Sequence, residues 1–217
     1  RGLAFMNSML AKYNQYYKYP NVRIMIPRSL VVATDYFDQF IKLNGLKYVI
    51  SRDLDDESIL SEFLNSTLPV ELYQKLKVFV STCRKPLAIR SSSKLEDSHY
   101  QPFAGIYSTY MIPPLEDKYE MLRMLSDAIK GVYASVFYRD SKAYMQATSN
   151  VIDQEKMAVI IQEVVGNQYG DRFYPSISGV ARSLNYYPIG DEKAEEGTVS
   201  LALGLGKYSV DGGQTLR

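Results

Sequence analysis

The chain has 217 residues, 46% of them hydrophobic, which is enough for one globular unit or for two small subdomains that share a cleft. Its 25 basic and 24 acidic side chains nearly cancel, which argues against a nucleic-acid-binding surface, and its apolar runs are too short for a membrane span. The one cysteine, Cys83, excludes an internal disulfide, favours a reducing compartment and is predicted to be a buried core residue.

The N-terminal part of the chain is predicted to consist mainly of helices. Leu3, Met6 and Leu10 recur at helical spacing and predict an amphipathic helix within residues 1–19. Thr34 is predicted to be the N-cap of a second helix, because a hydroxyl at that position can accept a hydrogen bond from a free N–H group. A strand over residues 29–34 and further helices over residues 56–64 and 69–81 complete this part.

From residue 85 onward, strands alternate with helices. A short apolar strand over residues 86–90 runs into three serines and a polar loop that extends to Gly105. The acidic loop over residues 191–196 is predicted to join the two strands of a hairpin. The other predicted elements are strands over residues 106–112, 157–165, 176–185 and 198–203 and helices over residues 117–138 and 139–147. This order predicts an α+β fold with a subdomain boundary near residues 83–86.

One group of residues has the chemistry of a phosphate site. Arg90 ends a strand, where a guanidinium can bind a phosphate through two hydrogen bonds, and Ser91 follows it. Gly105 would let main-chain N–H groups approach phosphate oxygens closely. By residue type alone, however, a serine-rich loop can also be an ordinary turn, and the arginine can belong to a surface ion pair. The chain contains no Walker A string.

Two strings in this region carry a family resemblance. They are Ile89-Arg90-Ser91-Ser92-Ser93-x-x-Glu96-Asp97 and Phe103-Ala104-Gly105-x-Tyr107-x-Thr109. In this order they closely resemble the pyruvate phosphate dikinase-type PEP/pyruvate-binding domain, a family that includes phosphoenolpyruvate synthases and rifampin phosphotransferases. Supporting similarity continues at residues 161–165, 178–181 and 203–206, so that the resemblance covers nearly the whole chain.

The resemblance implies an ATP-grasp-like fold in which ATP lies in a cleft between two subdomains. Residues 1–85 would form the helix-rich subdomain, and residues 86–217 the phosphate- and adenine-binding subdomain, truncated at its C-terminal end. Arg90 would be the catalytic residue that binds the ATP phosphates, residues 105–109 would cover them, and residues 162–164 would hold the adenine through main-chain atoms. The implied nucleotide-binding residues are Arg90, Ser91, Gly105, Ile106, Tyr107, Thr109, Gln162, Glu163 and Val164.

The implied activity is that of a phosphotransferase. ATP and Mg²⁺ would phosphorylate a histidine on a separate mobile domain, and downstream domains would pass the phosphate to pyruvate, giving phosphoenolpyruvate. The resemblance also implies a cytoplasmic protein and is compatible with a homodimer at full length. An early lysine is expected before Arg1, and the Mg²⁺-binding acids after the chain ends. The chain is therefore expected to be an incomplete fragment that is inactive alone, and no metal ligand is predicted within it.

Two alternatives to this function stay open. One is a related dikinase with another acceptor, such as an antibiotic or a glucan. The other is a degenerate, non-catalytic module that binds nucleotide or a protein partner. His99, the lone histidine, lies in the polar loop and is predicted to have no catalytic role. Arg28 stands where relatives often carry glycine, so the loop before the first strand is expected to differ from theirs.

Overall fold

The computed structural model describes residues 2–52, 54–93, 96, 107–147 and 155–206. The chain divides into two compact units, Arg1–Val164 and Val165–Arg217. The subdomain boundary predicted between residues 85 and 86 falls inside the first of these units, so as a division of the nucleotide cleft it stays a prediction. Mixed helix and sheet, the predicted fold class, is confirmed by the observed elements.

A four-stranded antiparallel sheet organises the first unit. Its strands are β1 (Ser29–Val32), β2 (Leu87–Ser93), β3 (Tyr110–Ile112) and β4 (Met157–Glu163), and their order in the sheet is β1-β4-β2-β3. Side chains alternate between the two faces, as a strand requires: Leu87 and Ile89 are buried, whereas Arg90 is exposed. The face with Leu87 and Ile89 therefore belongs to the core, and the opposite face carries the exposed Arg90.

Seven helices accompany this sheet in the described part of the first unit. Helix α6 contacts β2, β3 and β4, and α4 and α5 pack on α6, so that these helices lie on the core face. The bounds are α1 (Gly2–Lys12), α2 (Thr34–Leu43), α3 (Lys47–Ser51), α4 (Asp56–Asn65), α5 (Val70–Thr82), α6 (Lys118–Ser135) and α7 (Arg139–Ala147). No helix in these described ranges has the length and apolar character needed to cross a bilayer.

Most predicted helices are confirmed, with shifted ends. Asp55 and Asp117 are the N-caps of α4 and α6, and each carboxylate accepts hydrogen bonds from main-chain N–H groups of the first turn. The prediction for Thr34 was wrong. Ala33 is the extended residue before α2, and its carbonyl accepts the N–H of Tyr36 at 3.1 Å, so that Thr34 is already helical. None of the α1 residues is buried, so the described chain leaves its predicted apolar face open.

An aromatic cluster forms the centre of the core. Phe40 of α2 and Phe63 of α4 lie 5.7 Å apart between ring centroids, and Phe40 lies 5.5 Å from Tyr133 of α6. Phe37 meets the edge of Tyr133 at 5.0 Å, and Phe137 lies 5.6 Å from Phe63. Such contacts add to the energy of area burial, so this cluster ties α2, α4 and α6 together. Cys83, at the end of α5, is buried as predicted.

Within the part of the chain that the structure describes, no group hydrogen-bonds the hydroxyl of Tyr133, although the side chain is fully buried. Burial raises the pKa of this phenol, because the charged form would lose its hydration. An unpaired buried hydroxyl costs free energy, so Tyr133→Phe is expected to stabilise the protein by roughly 1–2 kcal/mol. Urea unfolding of both proteins measures the difference. The matched control is Tyr36→Phe, whose hydroxyl bonds Glu71 at 3.0 Å and which should not stabilise. A loss of stability in Tyr133→Phe would contradict the expectation.

The second unit is built from two antiparallel hairpins. Strands β5 (Asn167–Tyr169) and β6 (Arg172–Tyr174) pair through a tight turn in which Gly170 has a positive φ of 62°. Strands β7 (Ile177–Arg182) and β8 (Thr198–Leu203) form the second pair, with Gly179 opposite Leu201. This confirms the predicted hairpin with the acidic residues in its connection. The first hairpin was not predicted.

Candidate functional site

Arg90 lies on the sheet face opposite the aromatic core. In the register of the sheet it stands opposite Ile160 of β4, which in turn stands opposite Val31 of β1. Strand alternation places Ala88 and Ser92 on the same face. Among the described residues, none forms an ion pair or hydrogen bond with the Arg90 side chain. The guanidinium is therefore an exposed cation on a face of small and apolar side chains, with its donors available to an anionic ligand.

The two serines after Arg90 differ in orientation. Ser91 stands opposite the buried Val159, on the core face, whereas Ser92 stands opposite Ala158, on the face of Arg90. The hydroxyl of Ser91 donates to Oε1 of Glu96 at 2.7 Å. A hydroxyl has one proton, so Ser91 cannot donate to a phosphate while this bond exists. Ser92 is thus the serine that shares the surroundings of Arg90, and the periodicity of two residues along a strand could have shown this beforehand.

Glu96 and Ser93 bond each other reciprocally. The N–H of Ser93 donates to Oε2 of Glu96 at 2.9 Å, and the N–H of Glu96 donates to Oγ of Ser93 at 3.3 Å. This is the hydrogen-bond pattern of a capping box, in which Ser-x-x-Glu satisfies two main-chain donors at once. Together with the bond from Ser91, it fixes the end of β2 directly after Arg90. The three-residue spacing from Ser93 to Glu96 is the local sequence signal for this pattern.

The predicted phosphate-covering loop is described only from Tyr107 onward. Gly105 and Ile106, like His99, lie outside the described residues. Tyr107 is buried, and its hydroxyl donates to Oε1 of Glu155 at 3.3 Å, whereas Thr109 is exposed. Of the strand predicted over residues 106–112, only Tyr110–Ile112 is formed among the residues described. Thr109 thus directly precedes a strand of the sheet that carries Arg90.

Burial and nearby carboxylates act together on Tyr107. Loss of hydration raises the pKa of its phenol most, and the negative charge of Glu155 raises it further. A hydrogen bond with the Ser93 side chain lowers the pKa, and the carboxylate of Glu96 raises it slightly. Tyr107 therefore stays a neutral donor at physiological pH. Ser93, Glu96 and Glu155 thus all act on the pKa of Tyr107.

Helix α6 supports the same segment from the core side. The N–H of Ser108 donates to Oγ of the buried Ser135 at 3.2 Å, and that hydroxyl donates to the carbonyl of Val132 at 2.8 Å. Gly131 faces the ring of Tyr110 so closely that a Cβ there would overlap it. These contacts position the chain between Tyr107 and β3 on a long, well-packed helix.

The predicted adenine segment lies at the end of β4. Gln162 shares the face of Arg90, since it stands opposite Ala88, and its amide donates to Oγ of Ser29 at 3.0 Å. The N–H groups of Glu163 and Val164 both donate within the sheet, to the carbonyls of Arg28 and Pro86, each at 2.9 Å. A base could therefore not receive hydrogen bonds from these two donors unless the sheet opened. Main-chain carbonyls are the groups that fit the predicted role.

Arg28, which was expected to change the first loop, is held by three neighbours. Its guanidinium lies 3.7 Å from a carboxylate oxygen of Glu163, donates to Thr82 at 2.9 Å and stacks 5.0 Å from the ring centroid of Phe79. The side chain therefore fastens the end of β4 to the end of α5. Glu163, at the same time, is used in an ion pair at the sheet end.

The acidic side chains near Tyr107 are already engaged by other groups of the protein. No group of three or more His, Cys, Asp or Glu side chains among the described residues could hold a metal ion. Glu96 and Glu155 are close to Tyr107, but each carboxylate accepts hydrogen bonds from the protein. The chemistry available at the site is that of a cation, a hydroxyl and main-chain groups, which suits an anionic nucleotide more than a metal ion alone.

Comparison with known proteins gives a family and several relatives. The family model described as "Pyruvate phosphate dikinase, AMP/ATP-binding domain" matches residues 6–215. A phosphoenolpyruvate synthase of Aeropyrum pernix is 24% identical over 210 residues, with 87% of this chain and 24% of the relative covered. An uncharacterized phosphotransferase, YvkC, of Bacillus subtilis is 25% identical over 193 residues, with 88% and 20% covered.

A third relative is a probable phosphoenolpyruvate synthase of Staphylothermus marinus. It is 26% identical over 212 residues, with 87% of this chain and 23% of the relative covered. The chain thus spans less than a quarter of the length of the curated relatives it matches. The matched residues include both the Arg90 strand and the end of β4.

Proposed function

Because the chain belongs to the pyruvate phosphate dikinase AMP/ATP-binding domain family, we propose that it binds ATP for a phosphotransferase related to phosphoenolpyruvate synthase. In the full-length protein, ATP and Mg²⁺ phosphorylate a histidine on a separate mobile domain. Downstream domains then pass the phosphate to pyruvate, giving phosphoenolpyruvate. None of the described residues is assigned to Mg²⁺, because they include no group of three or more potential metal ligands.

The exposed guanidinium of Arg90 is the observation that carries this proposal. It lies on the sheet face opposite the aromatic core, on the same side as Ser92 and in register with Ile160, and no described residue neutralises it. A triphosphate concentrates negative charge, and a planar guanidinium can bind two of its oxygens at once. Because the reaction moves a charged phosphoryl group, the protein contributes chiefly fixed charge and position rather than covalent chemistry.

The remaining residues of the proposed site contact different parts of the nucleotide. Gly105, Ile106 and Thr109 belong to the segment that would cover the phosphates, and Tyr107 anchors it from within. The adenine would lie at the end of β4, next to Gln162, where main-chain carbonyls can accept hydrogen bonds from its amino group. Ser91 acts indirectly, because its hydroxyl is bound to Glu96.

Transfer of label to histidine tests the reaction itself. The full-length protein would be incubated with Mg²⁺ and with ATP that is radiolabelled at each phosphate in turn. We expect acid-labile label on a histidine of another domain, and its discharge when pyruvate is added. ATP binding without any labelled histidine would contradict the transferase and support a non-catalytic module. Labelled histidine that pyruvate does not discharge would point to another acceptor, such as an antibiotic or a glucan.

A further inference from the structure

Two carboxylates contact the two ends of the chain segment that joins β2 to Tyr107. Glu96 contacts the end at β2, and Glu155 contacts Tyr107. Glu96 accepts the hydroxyl of Ser91 at 2.7 Å and the N–H of Ser93 at 2.9 Å, one with each oxygen. Both serines belong to the last three residues of β2, after Arg90, and Ser93 is buried. Buried polar groups need partners within the protein, and here one carboxylate accepts from both residues.

Glu155 holds the other end of this segment through Tyr107. It is 8% exposed, although it is a carboxylate, and it lies two residues before the start of β4. Its oxygen accepts the hydroxyl of the buried Tyr107 at 3.3 Å. Buried carboxylates are rare in proteins because desolvation is costly, so the position has to be compensated by specific contacts. Here the compensated group holds the residue from which the chain continues to Thr109 and β3.

The contacts of the two carboxylates converge near Tyr107. Ser93 and Glu96 bond each other, both influence the pKa of Tyr107, and the hydroxyl of Tyr107 donates to Glu155. This network of contacts involves the end of β2, the residue before Ser108 and the stretch just before β4, three points that are far apart in sequence.

We propose that Glu96 and Glu155 are positioning residues. They hold the two segments on either side of residues 97–106, the nucleotide loop, in one fixed arrangement before ATP binds. This inference rests on the proposed function, since it gives the network a task at the same site. Neither carboxylate touches the nucleotide. Each acts through another residue: Glu96 through the serines that follow Arg90, and Glu155 through Tyr107. Flanking segments that are already held in place lose less conformational entropy on binding, so nucleotide affinity is higher.

Substitutions at both glutamates test the proposal in the full-length protein. Glu96→Ala and Glu155→Ala are expected to raise KM for ATP about tenfold, with a smaller change in kcat. Glu155→Gln keeps an oxygen that can accept the Tyr107 hydroxyl and should restore KM nearly to the wild-type value. Glu96→Gln keeps one of two acceptor oxygens and should be intermediate. The matched control is Glu120→Gln on α6, an exposed glutamate paired with Arg123.

KM separates positioning from simple loss of folded protein, because it does not depend on the fraction of molecules that are active. Hydrogen exchange without nucleotide provides a second readout, which does not depend on ATP use. Faster exchange at the amides of Ser93 and Ser108 in both Ala variants, but not in Glu120→Gln, would support the proposal. Unchanged exchange at these amides would overturn it, and so would a wild-type KM in both Ala variants. A wild-type protein that does not use ATP would refute the proposed function. Hydrogen exchange at Ser93 and Ser108 would then be the only test of whether the two glutamates position these segments.

Discussion

Arg90→Ala is expected to weaken ATP binding by the full-length protein roughly 10- to 150-fold, and to abolish ATP-dependent phosphorylation at ordinary ATP concentrations. The reason is the position of this cation. Arg90 is exposed on the sheet face opposite the aromatic core, and no described residue pairs with it. Its removal takes away contacts to charged oxygens, each worth about 1.5–3 kcal/mol. Calorimetric titration with ATP and Mg²⁺ measures the loss.

Two further variants sharpen this experiment. Arg90→Lys keeps the charge but loses the planar two-point contact, so an intermediate affinity is expected. Arg123→Ala removes an equally exposed arginine, one that pairs with Glu120 at 3.3 Å and Asp127 at 3.7 Å on α6. That control should bind ATP like the wild type. Equal binding by Arg90→Ala and wild type would remove Arg90 from the site. A folded wild-type protein that binds no ATP would favour a protein-interaction module.

Local patterns explain why much of the fold could be predicted. Helices α4 to α7 combine apolar residues at helical spacing with acidic first turns, and these signals depend on neighbouring residues only. Errors arose where short elements lacked such a pattern. Helix α3, over Lys47–Ser51, has barely more than one turn, and β5 and β6 have three residues each. Strands this short are specified by their partners rather than by their own composition.

The site shows a similar division between local and distant signals. Arg90 was predicted because its motif is contiguous. Strand alternation alone would have favoured Ser92 over Ser91 as its neighbour on the same sheet face. The Ser93 and Glu96 pair is also local, since three residues separate them. The contact of Tyr107 with Glu155 spans 48 positions and depends on how β4 returns beside β2. One sequence without its fold contains no signal for such a contact.

Phe63→Ala is expected to cost about 3–5 kcal/mol of unfolding free energy, the largest stability effect that we expect in this chain. Phe63 is fully buried and lies within 5.7 Å of Phe40 and 5.6 Å of Phe137, measured between ring centroids. Its removal leaves a cavity at the point where α2, α4 and the end of α6 meet. Urea unfolding of the full-length protein gives the total loss, and hydrogen exchange at α6 amides assigns it to this unit.

Leu64→Ala is the matched control for this loss, since Leu64 is the next residue of α4 but is 37% exposed. It should cost less than about 1 kcal/mol, because little buried contact disappears. If both substitutions cost the same, the aromatic cluster would not be the main source of stability in this unit.

Phe63→Ala also separates stability from binding. The ring of Phe63 contacts Phe40 and Phe137, whereas Ser135 holds Ser108 through its own hydroxyl, so KM for ATP should stay at the wild-type value while the folded fraction falls. A raised KM would instead show that α6 transmits core packing to the nucleotide loop.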